Sequence, residues 1–400
     1  RIAPPTIGGG YSQGFGTQIY GGVGLFFSDM LGNQNLDVFL QANGTLKDIG
    51  GGGFYTNRKN RLNWGLGAAH IPTLFGGFSI VDINGNGFRD PGEPYAQILQ
   101  RIFRTTAGAN VSYPLSQTRR FEISATGVRF GFDIEAFAFT NRGREEIDPE
   151  LVTGGLALPD PIYLGQVGFA YVGDFSNFGF TSPTQGGRYR VQVTPNFGSR
   201  QFVNVLVDYR RYFFFNPVTV AFRGLQSGNY GATSDNLAAN DFDNLFIRES
   251  LGSPYQLAFV RGYSFSSFFN EDSCRTGRDC RIQRLYGTRV GLASAELRVP
   301  LLGNDAFGLV NFPFIPTEFV LFTDAGIAWT NEELRFDSVK LSTSTLVEER
   351  GGTVPARPVV STGVAARMNL LGAAVFEIFY ARTYQRDQDW NFGLVLRPGW

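Results

Sequence analysis

Hydrophobic and polar positions alternate with a period of two over long stretches of this chain. From Arg188 to Thr194, Arg188, Arg190, Gln192 and Thr194 share one face, and Tyr189, Val191 and Val193 share the other. Between Phe202 and Phe213, Asn204, Asp208, Arg210 and Tyr212 oppose Val203, Val205, Val207 and Phe213. Arg211 is the exception and is expected to snorkel at a strand end. Val218, Val220 and Phe222 alternate with Thr219, Ala221 and Arg223. This is the period of extended chain, and no amphipathic helix of useful length emerges. Charged side chains fall in mid-strand, where a sandwich would need a dry core. A polar, wet lumen and an apolar exterior facing lipid satisfy the pattern.

Counting runs between turn signals predicts sixteen strands, near 3–11, 16–28, 35–47, 51–59, 61–73, 98–113, 120–133, 163–175, 186–196, 202–213, 217–226, 285–301, 317–330, 357–370, 373–384 and 388–398. Short connections at Met30–Asn33, Leu115–Thr118 and Phe215–Pro217 alternate with long ones near 74–97, 134–162, 227–284 and 331–356. Short turns on one side and long loops on the other are expected of outer-membrane barrels, the long loops being extracellular. The expected fold is therefore all-β: a 16-stranded antiparallel transmembrane β-barrel, with residues 1–400 as one outer-membrane domain.

Composition narrows the function. The 35 Lys+Arg balance 35 Asp+Glu, so no basic excess is present for nucleic acid. One His and two Cys cannot build the usual zinc or haem site, and no organic cofactor is expected. Aromatic residues at 15% exclude disorder. No run approaches the roughly 20 apolar residues of a membrane helix, but a barrel strand crosses in about 10. A mean hydropathy of -0.09 is neutral on this point. The chain opens at Arg1 as though in mid-sequence, so a signal and any upstream periplasmic domain would lie outside these residues.

Three stretches carry a resemblance. Phe259-Val260-Arg261-Gly262-Tyr263 lies in the longest predicted loop, Gly287–Leu302 reads GTRVGLASAELRVPLL, and the thirteenth strand contains Phe322-Thr323-Asp324-Ala325-Gly326. The chain resembles the C-terminal barrel of the BamA/TamA superfamily, the bacterial surface antigens of outer-membrane assembly and translocation. That resemblance implies a V-R-G-F/Y turn at the tip of the sixth extracellular loop. The loop folds into the lumen, and its Arg contacts an F-x-D-x-G strand motif. Both motifs are complete here, about sixty residues apart, and the resemblance runs from the first strand to Trp400. The residues agree with it: Phe322, Asp324 and Gly326 are spaced by two and share a face. Arg261 can form a bidentate pair with Asp324, Gly262 permits a tight turn and Gly326 leaves room beside it. Without the resemblance, the favoured reading of Arg261 and Asp324 is separate, solvated charges in a wet pore. With it, Val260, Arg261, Gly262, Tyr263, Phe322, Asp324 and Gly326 are expected to form a structural latch.

Two further loop features stand apart from the family. Cys274 and Cys280 are expected to form one local disulfide in an extracellular segment, a metal pair being the alternative. The run Asp82-Ile83-Asn84-Gly85-Asn86-Gly87-Phe88-Arg89-Asp90-Pro91-Gly92-Glu93 fits the calcium pattern D-x-[DN]-x-[DN]-G-x5-E without a mismatch. Asp82, Asn84, Asn86, Asp90 and Glu93 would supply side-chain oxygens and Phe88 a carbonyl. Pro91 and Pro94 oppose an EF-hand exit helix, so the expectation is a structural Ca2+ loop of weak affinity in the third extracellular loop. A plain polar turn is the alternative.

Barrels of this class end in an aromatic assembly signal. Asn391 and Gly393 fit its start, whereas Leu396 and Pro398 stand where aromatics are expected and the last aromatic is Trp400. The first strand carries Gly8, Gly9 and Gly10 behind Pro4 and Pro5, which predicts a short, poorly zipped seam between strands one and sixteen. The resemblance then implies insertion or translocation of proteins through that labile seam, substrate strands adding by β-augmentation. Expected partners are outer-membrane lipid, unfolded outer-membrane proteins, and periplasmic or lipoprotein components. The second reading is a non-catalytic membrane anchor within a cell-surface assembly, since fold does not decide function. Phe27–Gly32 and Asn57–Trp64 look similar to surface-antigen barrels fused to periplasmic propellers. Catalysis is not expected: His70 shares parity with Trp64, Leu66 and Ala68 and so points toward lipid, away from lumen carboxylates. Glu296 and Arg298 read as lumen electrostatics, and an in-folded loop disfavours a general porin.

Overall fold

A computed structural model describes residues 6–12, 18–43, 46–81, 94–140, 143–149, 152, 160–235, 247–254, 256–264, 267, 284–304, 308–312, 314–330, 356–370, 374–386 and 390–398. The chain divides into two compact units. The first comprises Arg1–Pro114, Glu122–Phe169 and Pro195–Gln201, and the second Leu115–Phe121, Ala170–Thr194 and Phe202–Trp400.

The first unit contains β1 (Thr6–Ser12), β2 (Gln18–Ser28), β3 (Gln34–Asn43), β4 (Ile49–Asn57), β5 (Asn63–Ile80) and β6 (Tyr95–Pro114). It also holds most of β7 (Arg119–Thr140), β8 (Gly143–Ile147) and the first part of β9 (Ile162–Asp174). The second unit contains β10 (Asn177–Phe178), most of β11 (Pro183–Gly198), β12 (Phe202–Phe215), β13 (Val218–Tyr230), the single turn α1 (Ala232–Asp235), β14 (Glu249–Ser250) and β15 (Tyr286–Gly287). Its remaining strands are β16 (Arg289–Gly303), β17 (Val310–Asn311), β18 (Thr317–Trp329), β19 (Val359–Leu370), β20 (Ala374–Thr383) and β21 (Trp390–Pro398). Nineteen strands belong to one sheet, and β14 pairs with β15 in a separate two-stranded one. Neighbouring long strands are antiparallel throughout the described pairings; β17 alone among them lies parallel, alongside the end of β16.

Each of the sixteen predicted segments overlaps a long strand, while twenty-one strands occur among the described residues. The difference has two sources. Short bridges such as β10, β14, β15 and β17 add strands inside connections. Hairpins also climb further than the turn signals suggested. Leu74–Ile80 continues pairing with Tyr95–Arg101 despite Gly76 and Gly77, because the cross-strand ladder bonds backbone groups whatever the side chain. Likewise Ala136–Thr140 pairs with β8 inside a predicted loop.

The second unit shows which face is which. Across seven successive strands one row of paired residues reads Phe213, Val220, Leu297, Leu321, Val364, Tyr380 and Phe392. Most of these are exposed, Phe392 at 69%. The adjoining row, on the opposite face, reads Tyr212, Ala221, Glu296, Phe322, Gly363, Ala381 and Asn391. Its neighbours include the buried Arg298, Glu318, Asp324, Arg367 and Glu377. Charges are covered and aliphatic side chains are bare, the reverse of a water-soluble sheet. In the first unit Phe27, Leu36, Tyr55 and Leu66 form a comparable row. Arg211 lies on the apolar face, where its guanidinium sits 5.5 Å from the Phe175 ring and 5.3 Å from the Phe213 ring instead of reaching past the strand end. Among the described residues no helix is long and apolar enough to cross a membrane.

Candidate functional site

The connection between β13 and β16 returns to the sheet of the second unit and is held there first by apolar packing. Leu251, Ala258, Val260, Tyr263 and Leu285 cluster with Leu225, Val290, Leu292, Ala328 and Val359 from the strands. The β14–β15 ladder continues into a bond from Leu251 N–H to Leu285 O at 2.9 Å, and Val260 N–H donates to Leu251 O at 3.0 Å. Val260–Tyr263 is then a β-turn, closed by Tyr263 N–H on Val260 O at 3.2 Å. Its third position demands positive φ, and Gly262 supplies φ 90. A Cβ there would also stand 2.8 Å from Thr383 Cγ2 and 2.9 Å from Ala381 Cβ.

That turn delivers Arg261, 3% exposed, to Asp324, 1% exposed. Arg261 Nε donates to Asp324 Oδ2 at 2.7 Å and Nη2 to Oδ1 at 2.8 Å, a two-point fork. The backbone N–H of Arg261 adds a bond to Oδ2 at 3.3 Å, and Ser294 Oγ donates to Oδ1 at 2.6 Å. Nη1 lies 2.8 Å from Glu296 Oε1, and the guanidinium carbon stands 3.6 Å from the Phe322 ring centre. Burial works against the Arg261 charge, but Asp324, Glu296 and Glu377 more than offset it, so its pKa rises above the ordinary guanidinium value. Gly326 makes the approach feasible: a Cβ there would be 2.5 Å from Val260 Cγ2. Tyr263 anchors the far side, its hydroxyl donating to Gln385 Oε1 at 2.7 Å. Burial pushes its pKa up. All seven predicted latch residues thus meet at one place.

The surrounding charges form a wider set that the sequence indicated only in part. Arg367 holds Glu296 through both terminal nitrogens, at 3.0 and 2.7 Å, Glu377 at 2.5 Å and Glu318 at 3.3 Å. Arg298 donates to Glu296 Oε2 at 2.8 Å and to Ser182 Oγ at 3.0 Å, and Ser182 donates to Glu318 Oε2 at 2.8 Å. Asp208 accepts from Arg210 and Arg223 nearby. The five guanidiniums of Arg210, Arg223, Arg261, Arg298 and Arg367 match the five carboxylates of Asp208, Glu296, Glu318, Asp324 and Glu377. Each carboxylate is answered by a guanidinium, an arrangement suited to fixing a loop. Among the described residues no group of three or more His, Cys, Asp or Glu is placed to hold a metal ion.

The C-terminal residues connect to the same turn. Asn391 Oδ1 accepts from Arg386 Nη1 at 2.7 Å, and Arg386 Nη1 also donates to Gly262 O at 3.1 Å. Gly393 pairs opposite Phe379, and Leu396 is exposed. His70 stands beside Phe103 with ring centres 5.9 Å apart, and Nδ1 lies 2.8 Å from Thr105 Oγ1. Cys274, Cys280, Trp400 and the proposed calcium ligands Asp82, Asn84, Asn86, Phe88, Asp90 and Glu93 lie outside the described residues.

The first unit holds a cluster that the sequence reading missed. A 3-10 turn at Leu46–Asp48 joins β3 to β4. Arg101 on β6, 1% exposed, donates to Asp48 Oδ1 at 2.9 Å and lies 2.6 Å from Glu135 Oε2 on β7. Lys47 reaches the same Glu135 at 2.6 Å and Asp133 at 3.4 Å. These carboxylates raise the Lys47 pKa, chiefly through the hydrogen bond to Glu135. Arg101 lies within a strand that reads as apolar at Ile98, Leu99, Ile102 and Phe103, so only its parity with Gln97 marked it.

No family model matches the chain, and no curated protein matches it. Solved structures do. BamA from Haemophilus ducreyi lacking POTRA domains 1-3 superposes with a TM-score of 0.55 at 14% identity, over 98% of this chain and 70% of that one. CdiB from Acinetobacter baumannii gives 0.48 at 13% identity, over 98% and 58%. The all-β antiparallel barrel expected from the alternation is therefore shown at the level of the fold, and its BamA-type architecture with it.

Proposed function

For a chain with the fold of BamA, we propose a place in the bacterial outer membrane and a part in inserting or translocating proteins there. The observation that carries this reading is the Val260–Tyr263 turn locked by Arg261 onto Asp324 within that fold. The lock fixes the large connection against the sheet interior, so movement is left to the ends of the sheet. There β1 has only seven residues, three of them glycine, and its register with β2 runs from Thr6–Gly24 to Ser12–Gln18. Glycine brings no packing to hold an edge. A strand so weakly held is suited to exchange its backbone bonds for those of an incoming strand, without nucleotide or covalent chemistry. Substrates would be unfolded outer-membrane proteins, received with periplasmic or lipoprotein partners. An engineered disulfide between β1 and β21 is expected to abolish substrate insertion into liposomes and to deplete the outer-membrane protein profile. An unchanged profile with the crosslink formed would leave the anchor reading in its place. The same proposal includes a structural Ca2+ at Asp82–Glu93 and a Cys274–Cys280 disulfide in the long loops. Chelation should lower the melting temperature, and reduction should add two titratable thiols.

A further inference from the structure

Two short turns of the first unit lie side by side, with Arg58 N–H donating to Asn33 O at 2.7 Å. The turn between β2 and β3 is closed by Gly32 N–H on Asp29 O at 3.3 Å, with Gly32 at φ 72. Met30 and Leu31 occupy its two central positions and are 86% and 82% exposed. The backbone fixes them outward; they are not loose ends of an open loop. The turn between β4 and β5 sets Arg58, Lys59 and Arg61 beside them, all exposed, with Leu62 at 48%. Asp29 is the one carboxylate of the two turns, so three cations less one anion leave a charge of +2. The Asp29 carboxylate accepts Gln34 N–H at 3.2 Å. Arg61 is oriented by a bond to Pro114 O at 3.3 Å and by the Tyr113 ring, 4.7 Å from its guanidinium carbon. Beyond the turn, Trp64 and Leu66 begin the exposed apolar row of β5.

A turn meeting only water gains nothing from two bare aliphatic side chains at its tip. A turn meeting the bilayer boundary gains from all of these groups together: apolar tips enter the acyl region and cations meet phosphate. We propose that the β2–β3 and β4–β5 turns form a binding site for an anionic phospholipid. Arg58, Lys59 and Arg61 take the phosphates, and Met30, Leu31 and Leu62 take the upper acyl chains. Continuity with the Trp64–Leu66 row favours lipid over a soluble phosphate or a protein. The inference rests on the membrane location proposed above and is independent of any insertion activity.

The test is native mass spectrometry of the full chain in detergent, offered equal phosphatidylglycerol and phosphatidylethanolamine. The unmodified chain should retain phosphatidylglycerol preferentially, by roughly tenfold. Arg58→Gln, Lys59→Gln and Arg61→Gln together should bring the ratio to about one, with the folded barrel verified by its heat-modifiable gel mobility. Met30→Ser with Leu31→Ser should weaken retention of both lipids without changing their ratio. Equal retention by the unmodified chain, or an unchanged ratio in the triple variant, overturns the proposal. So does abolition of the preference by millimolar inorganic phosphate, which would mark a free-anion site. A photocrosslinker at position 31 that captures protein instead of lipid in intact envelopes also overturns it. None of these outcomes bears on the strand-locking experiment, so the two readings fail separately.

Discussion

At the scale of single residues, Arg261 faces an unusual concentration of negative charge. Asp324 takes its fork, Glu296 takes Nη1 at 2.8 Å, and Glu377 lies 3.5 Å away. Deleting one member of a buried ionic set leaves its partners desolvated and unanswered, which costs about 3–5 kcal/mol. Arg261→Ala should therefore lower the melting temperature of the folded barrel and expose the 247–264 segment to protease. Arg261→Lys should fall between, keeping charge but losing the planar fork. Equal protease half-lives for all three would remove the latch. Much of this contact was legible beforehand: a spacing of two put Phe322, Asp324 and Gly326 on one face, and the Val-Arg-Gly-Tyr run supplied the turn. Arg367, Glu377, Glu318 and Ser182 were not legible as partners. A period of two gives parity, but these residues meet only through register. Arg367 sits opposite both Glu318 and Glu377 in the paired strands.

At the scale of elements, the β14–β15 ladder carries a titratable flaw. Glu249 is largely buried, and this burial pushes its pKa above the ordinary 4.5, although a bond from Ser227 Oγ works the other way. A carboxyl raised in the folded state contributes stability below its unfolded value and loses it as pH climbs through the folded value. The segment should accordingly be tighter in mild acid than at neutral pH. Glu249→Gln should slow amide exchange at Leu251 and Val260 at pH 7 and make little difference near pH 4. The same protection factors at both pH values in both proteins, with the intrinsic base-catalysed rate divided out, would show that Glu249 does not load the ladder. Strands were the legible elements because alternation states them directly. The 3-10 turn at Leu46–Asp48 was not: Lys47 reads as the end of the predicted 35–47 strand and Asp48 as a charge beyond it until Arg101 and Glu135 arrive from strands more than fifty residues away.

At the scale of the whole chain, the deciding property is an inverted sheet, with ion pairs covered and Leu, Val and Phe bare. Alternation alone gives two unlike faces, as in a soluble sheet; the inversion was legible from charges placed in mid-strand, where a sandwich would need a dry core. Whether the bare face meets lipid can be asked of one position. Leu321 lies at mid-strand between Leu297 and Val364 and is 43% exposed. Facing water, an arginine there would change stability by no more than about 0.5 kcal/mol, as exposed substitutions do. Facing the middle of a bilayer, it would cost about 2–4 kcal/mol. Leu321→Arg should therefore refold into liposomes with a lower equilibrium stability by that larger amount, measured by reversible guanidinium unfolding. Leu321→Phe should be nearly neutral. Thick bilayers should enlarge the arginine penalty and thin ones reduce it, because the guanidinium then has less distance to the interface. An arginine variant as stable as the parent in every bilayer would mean that the exposed row does not span the hydrocarbon, whatever the likeness of fold.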